Sequence, residues 1–156
     1  NGHGWNALFG RCARRRCNAA GTERMFERMA VVFTQKELED SLAEWQKRLR
    51  LDAWDVRIGI YRERAFDGGG RSGEISYSIE SGKAVIKLLD PVDYPDEDFP
   101  QDMEVTLVHE LLHLKFAAFM PQDDTLEHRL FEQTVESMAN LLVALKREKY
   151  ESGKDD

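Results

Sequence analysis

Two histidines and a glutamate interrupt the apolar run VTLVHELLHL, residues 105–114. His109 and His113 are four residues apart, so on a helix both imidazoles project from one face a single turn apart and can share one ion. Glu110, beside the first histidine, can reach a water on that ion and take its proton. Imidazole and carboxylate are customary nitrogen and oxygen ligands of zinc, and a catalytic zinc keeps one position open for water. The bland alternative is an accidental HExxH on a solvated helix. Against it, the three motif residues are the only ionisable ones from Val105 to Leu114, where burial without a partner is costly.

Zinc needs a third protein ligand, and the segment after Pro121 offers His128, Glu132 and Glu136. Within TVESMANLLVAL, residues 134–145, Glu136 is the only ionisable side chain. A lone carboxylate there poses the same puzzle as the histidines, and one zinc between two packed helices resolves both. Glu136 is therefore the expected third ligand, with Asn140 one turn on as a hydrogen-bonding support. Glu132 has Gln133, His128 and Arg129 nearby and reads more readily as solvated. His128 can line the cleft, donate to a developing oxyanion or face water. Both stand as alternative third ligands.

Helices and strands must carry these residues. From Thr34, TQKELEDSLAEWQKRLRL opens on a capping box, Thr34 with Glu37, and sets Leu38, Leu42, Trp45 and Leu49 at helical spacing. WDVRIGIY, residues 54–61, alternates apolar and polar positions as a half-buried strand does. The glycines from Gly68 to Gly73 mark a loop, and GEISYSIESGKAVIKLLD reads as two strands joined at Ser81 and Gly82. A Pro-rich acidic loop leads to Asp102, a candidate N-cap for the motif helix, which should run from about Met103 to Phe119 before Pro121. A last helix should start near Asp124 or Thr125, with Asp124 and Glu127 as a capping pair, and run to about Tyr150.

At 156 residues the chain has the length of one domain, and 33 % charged residues with 10 % aromatics fit a globular fold. Residues 1–24 carry a net charge of +4, leaving −11 for the rest, and read as a disordered or foreign basic leader. Both cysteines, Cys12 and Cys17, lie in that leader, so the remainder gives no sign of a disulfide scaffold. Residues 25–150 then form the single domain, and 151–156 a frayed acidic tail. The overall charge of −7 disfavours nucleic acid as a partner. No stretch approaches the roughly 20 apolar residues of a membrane span, which points to the cytoplasm.

On HELLH, Glu136 and Asn140, the chain resembles the zincin metallopeptidases of the glutamate type, in which HExxH is followed some twenty residues later by a helical Glu with an Asp or Asn one turn on. It also resembles the small phage-type and ImmA-like prokaryotic peptidases, where a strand opening with Trp, as at Trp54, precedes the zinc helix. The resemblance covers about Thr34 to Tyr150 and implies a minimal α+β zincin fold: an N-terminal helix, a small twisted mixed sheet of three to four strands, the HExxH helix and a long C-terminal helix. It implies a zinc metalloendopeptidase in which zinc activates water, Glu110 is the general base, and Tyr77, Tyr94 or His128 steadies the oxyanion. The substrate would lie extended along a sheet edge, on the ISYSI or AVIKLL strand. SprT-like proteases are a rival resemblance, with His128 as third ligand. A zinc-holding interaction module without catalysis is the other alternative.

Overall fold

The computed structural model describes residues 30–68, 70–95 and 99–152. The expectations for the leader, with Cys12 and Cys17, and for the end of the acidic tail lie outside them. The architecture is α+β, three helices and a three-stranded mixed sheet among the described residues.

Helix α1 (Gln35–Arg48) opens on the expected capping box: the Thr34 side chain accepts from the Glu37 N–H, and the Glu37 carboxylate accepts from the Thr34 N–H. Its buried stripe is Leu38, Leu42 and Trp45. Strand β1 (Asp55–Tyr61) follows, starting one residue after Trp54, then β2 (Gly73–Ser78) and β3 (Lys83–Leu89). The β2–β3 hairpin turns through residues 79–82, where Gly82 takes φ 63°, a left-handed conformation that glycine adopts without penalty.

The sheet order is β1-β3-β2, with β1 parallel and β2 antiparallel to β3. The AVIKLL strand is therefore central and paired on both sides, so it cannot offer a free edge. The ISYS strand, β2, has no second partner strand among the described residues.

Along β3, Ala84, Ile86 and Leu88 are at most 3 % exposed, and they face Leu107, Val108 and Leu111 of helix α2 (Met103–Lys115). Val135, Ala139 and Val143 of helix α3 (Leu126–Ser152) complete this core. Burying each of the leucine, isoleucine and valine side chains among them contributes about 1.5–3 kcal/mol.

Asp102 caps α2 as expected, accepting from the Val105 N–H. The helix stops at Lys115, short of Phe119, and residues Ala117–Phe119 form a tighter 3-10 turn. Met120 precedes Pro121 and takes extended backbone (φ −60°, ψ 121°), so the chain must unwind before it. At the start of α3 the cap is Thr125, whose hydroxyl accepts from the His128 N–H at 3.1 Å. Asp124 sits at φ 62°, outside the backbone geometry of an N-cap.

A lock of charges ties the far ends of α2 and α3 to α1. Glu104 accepts hydrogen bonds from the Trp45 indole, from Lys146 at 2.6 Å and from Arg147. Lys146 also reaches Glu44, and Arg147 makes a fork onto Asp102. Among the described residues no helix is long and apolar enough to cross a membrane.

Candidate metal centre

Because α2 and α3 pack side by side, the imidazoles of one meet the carboxylates of the other. Glu132 Oε2 lies 3.3 Å from His109 Nε2, and Glu132 Oε1 lies 3.6 Å from His113 Nε2. One donor atom from each of the three residues falls within 4.8 Å of the others, close enough to hold one metal ion. Nitrogen and oxygen ligands about 2.0–2.1 Å from a tetrahedral zinc stand about 3.4 Å apart, and the two imidazoles approach different oxygens of Glu132 at comparable spacings. The donor chemistry suits zinc.

Glu136, the third ligand expected from sequence, takes another place. Its Oε2 lies 3.0 Å from His109 Nδ1, on the opposite side of the ring from Glu132, and its Oε1 accepts from Asn140 at 2.7 Å. With the proton on Nδ1, His109 donates to Glu136 and leaves Nε2 with a free lone pair towards Glu132. Asn140 thus supports Glu136 as expected, one step further from the cluster. His128 Nε2 lies 3.4 Å from Glu132 Oε1 and 3.8 Å from Asp123, outside the three-residue group.

The electrostatics of the cluster are uneven. Burial opposes a charge on His109, but the Glu136 hydrogen bond and the nearby Glu110 and Glu132 outweigh it and raise its pKa. His113 moves down, because burial and the two neighbouring histidines outweigh Glu132. Its Nδ1 is buried without a hydrogen-bond partner. The hydrogen bond to His109, reinforced by Asn140, holds Glu136 below the usual carboxylate range.

Glu110 is 6 % exposed, and burial pushes its carboxyl up to about 7, against the pull of His109. That is the proton affinity of a group able to accept and release a proton near neutral pH. Its carboxylate lies under the first residue of β2, where a side chain at Gly73 would collide with it. Nothing in the spacing of the motif pointed to Gly73; the signal in the sequence was a glycine opening an otherwise regular strand.

A cleft of about 1290 Å³ runs over the cluster, walled by β2 on one side and by α3 on the other. Tyr77 lines it and packs edge-on against Trp54, with ring centres 6.1 Å apart. Tyr94 lines it as well and donates its hydroxyl to the Phe99 carbonyl at 3.3 Å. The Leu89 N–H bonds to the Ser72 carbonyl, and hydrogen-bonded pairs alternate along an antiparallel ladder. By that alternation and the register of β2 on β3, Glu74, Ser76 and Ser78 spend their backbone groups on β3. The peptide groups of Gly73, Ile75 and Tyr77 point to the open edge.

No protein-family model, no curated protein and no solved structure matches this chain.

Proposed function

We propose that this protein is a zinc-dependent endopeptidase, with His109, His113 and Glu132 holding the ion and Glu110 acting as general base. The observation that carries the reading is the convergence of two imidazole Nε2 atoms and one carboxylate at spacings of 3.3 and 3.6 Å, beside a Glu110 carboxyl that is 6 % exposed. When bound, zinc would supply a Lewis acid that polarises the scissile carbonyl and acidifies the attacking water.

The residues of the chain do the rest. Glu110 takes a proton from the attacking water and delivers it to the leaving amine, which requires a carboxyl whose two protonation states are close in energy at the working pH. Glu136 and Asn140 hold His109 in the tautomer that presents Nε2. An extended peptide segment lies along β2 and pairs with the outward groups of Gly73, Ile75 and Tyr77, giving main-chain affinity with little sequence preference. His128 and Tyr77 line the same cleft and are the donors from which oxyanion stabilisation would come.

The test is metal analysis with peptide hydrolysis on the same preparations. One zinc per chain is expected in the wild type and in Glu110→Gln, and its loss in Glu132→Ala. Hydrolysis should fall about 10²–10⁴-fold in Glu110→Gln. Undiminished hydrolysis in that variant would overturn the assignment of the base. Full zinc occupancy without cleavage of any member of a broad peptide library would turn the reading to a zinc-holding interaction module.

A further inference from the structure

At Gly73 the backbone of β2 lies against helix α2, and the space its missing side chain leaves is occupied by Glu110 and the Thr106 methyl. A Cβ built on Gly73 would lie 2.6 Å from Glu110 Oε1, 2.6 Å from Thr106 Cγ2 and 3.3 Å from Glu110 Cδ. Carbon atoms do not approach other heavy atoms that closely, so with any other residue something must move.

The surroundings decide what moves. Strand β2 cannot retreat, because it is laddered to β3 and its next residue, Glu74, is pinned by Lys87 at 2.8 Å and by the Asp67 N–H at 2.8 Å. Helix α2 cannot retreat, because Leu107 and Leu111 on either side are fully buried in the core. Thr106 cannot swing its methyl away freely, since its hydroxyl donates to the Asp102 carbonyl at 3.0 Å. The Thr106 contact is therefore relieved only by a small local shift that costs stability, whereas the end of the Glu110 side chain is free to rotate out towards the cleft.

We propose that Gly73 is a positioning residue: its bare backbone leaves the pocket that fixes the Glu110 carboxylate, and a side chain there would evict the carboxylate while leaving the metal ligands in place. The steric part stands on the coordinates alone, and the kinetic part rests on the peptidase reading. A base displaced by about 1 Å loses on the order of 10²-fold in rate even when everything else is intact.

The experiment compares metal-free crystal structures of the full chain and of Gly73→Ala, with zinc content, kcat and KM measured in parallel. The expected result is a rotated Glu110 carboxylate in the variant, one zinc per chain in both, KM for a peptide unchanged and kcat reduced about 10²-fold. A second variant, Gly73→Ala with Thr106→Ser, removes the methyl that the new Cβ would strike. It should recover thermal stability lost in the single variant without recovering kcat. A carboxylate found in its original place in Gly73→Ala, or full kcat in the double variant, would overturn the proposal. A wild type that cleaves nothing would defeat the peptidase reading and leave the crystallographic comparison to decide on Gly73.

Discussion

Helix α2 leaves two carboxylates almost without solvent contact, Glu104 and Glu110 each being 6 % exposed, and treats them in opposite ways. Burial works against the charge on both. At Glu104 the lysine, the indole and the arginine that donate to it outweigh that cost, and its pKa falls below the usual value. At Glu110 nothing of comparable strength does, and its pKa climbs to about 7. Low exposure alone therefore does not set proton affinity: Glu110 is the more deeply desolvated of the two, and Glu104 has the donors that Glu110 lacks. One end of the α2–α3 pair satisfies its own charges and fastens the fold. The other end gathers Glu110, Glu132 and Glu136 around histidines and is suited to an added cation.

The contrast breaks most easily at the lock. Glu104→Ala strips the Trp45 indole of its acceptor and removes one of two partners from both Lys146, which keeps Glu44, and Arg147, which keeps Asp102, and should cost about 3 kcal/mol in urea unfolding. A loss below about 1 kcal/mol would mean that the lock does not hold the helices together. At the other end the sign reverses. The Glu110 carboxyl binds its proton more tightly in the folded chain than in the unfolded one, so stability falls as pH rises from about 4.5 through about 7. Glu110→Gln should accordingly stabilise the metal-free protein by about 3 kcal/mol above pH 7, with the gain gone near pH 4. Melting curves across that range check it, and a destabilised variant would remove the idea of a strained base. Glu104 behaves conversely, contributing at neutral pH and surrendering its contribution as pH drops below about 4.5.

Smaller effects sharpen the division of labour between the two glutamates of α3. Glu136→Ala should weaken zinc about 10–100-fold, the usual loss when a group that orients a ligand is removed, whereas Glu132→Ala should abolish stoichiometric binding. Equal losses, read by competition with a zinc chelator, would erase the distinction drawn from the geometry. Thr125→Ala, which removes the hydroxyl that caps α3 together with a methyl, should cost about 1 kcal/mol and leave zinc affinity unchanged.

Much of this could be read in the chain. The period of Leu38, Leu42 and Trp45, the alternation of β1 and the caps at Thr34 and Asp102 are local signals, and each appears where its residues predict. The choice between Glu132 and Glu136 was not local. Glu136 drew attention as the single charge in an apolar run, yet Leu141 and Leu145 in that run are 59 % and 53 % exposed, so the run is not a buried one. Both glutamates reach His109 from α3, Glu136 at Nδ1 and Glu132 at Nε2, and which of them also comes near His113 depends on how the two helices cross, which spacing along one helix does not record. The central position of β3 was equally hidden, since a parallel partner arriving from earlier in the chain leaves no mark on the hairpin itself. Gly73 could be recognised only once strand and helix were seen together.

The parity of the β2 ladder has a consequence for solvent. Amide hydrogens of Glu74, Ser76 and Ser78 are locked into the sheet, while those of Gly73, Ile75 and Tyr77 face outward. Deuterium uptake along this single strand should rise and fall residue by residue, slow at even positions and fast at odd ones. A bound extended chain would quench the odd positions alone, so isotope exchange on three amides can report occupancy of the groove without any chemistry taking place.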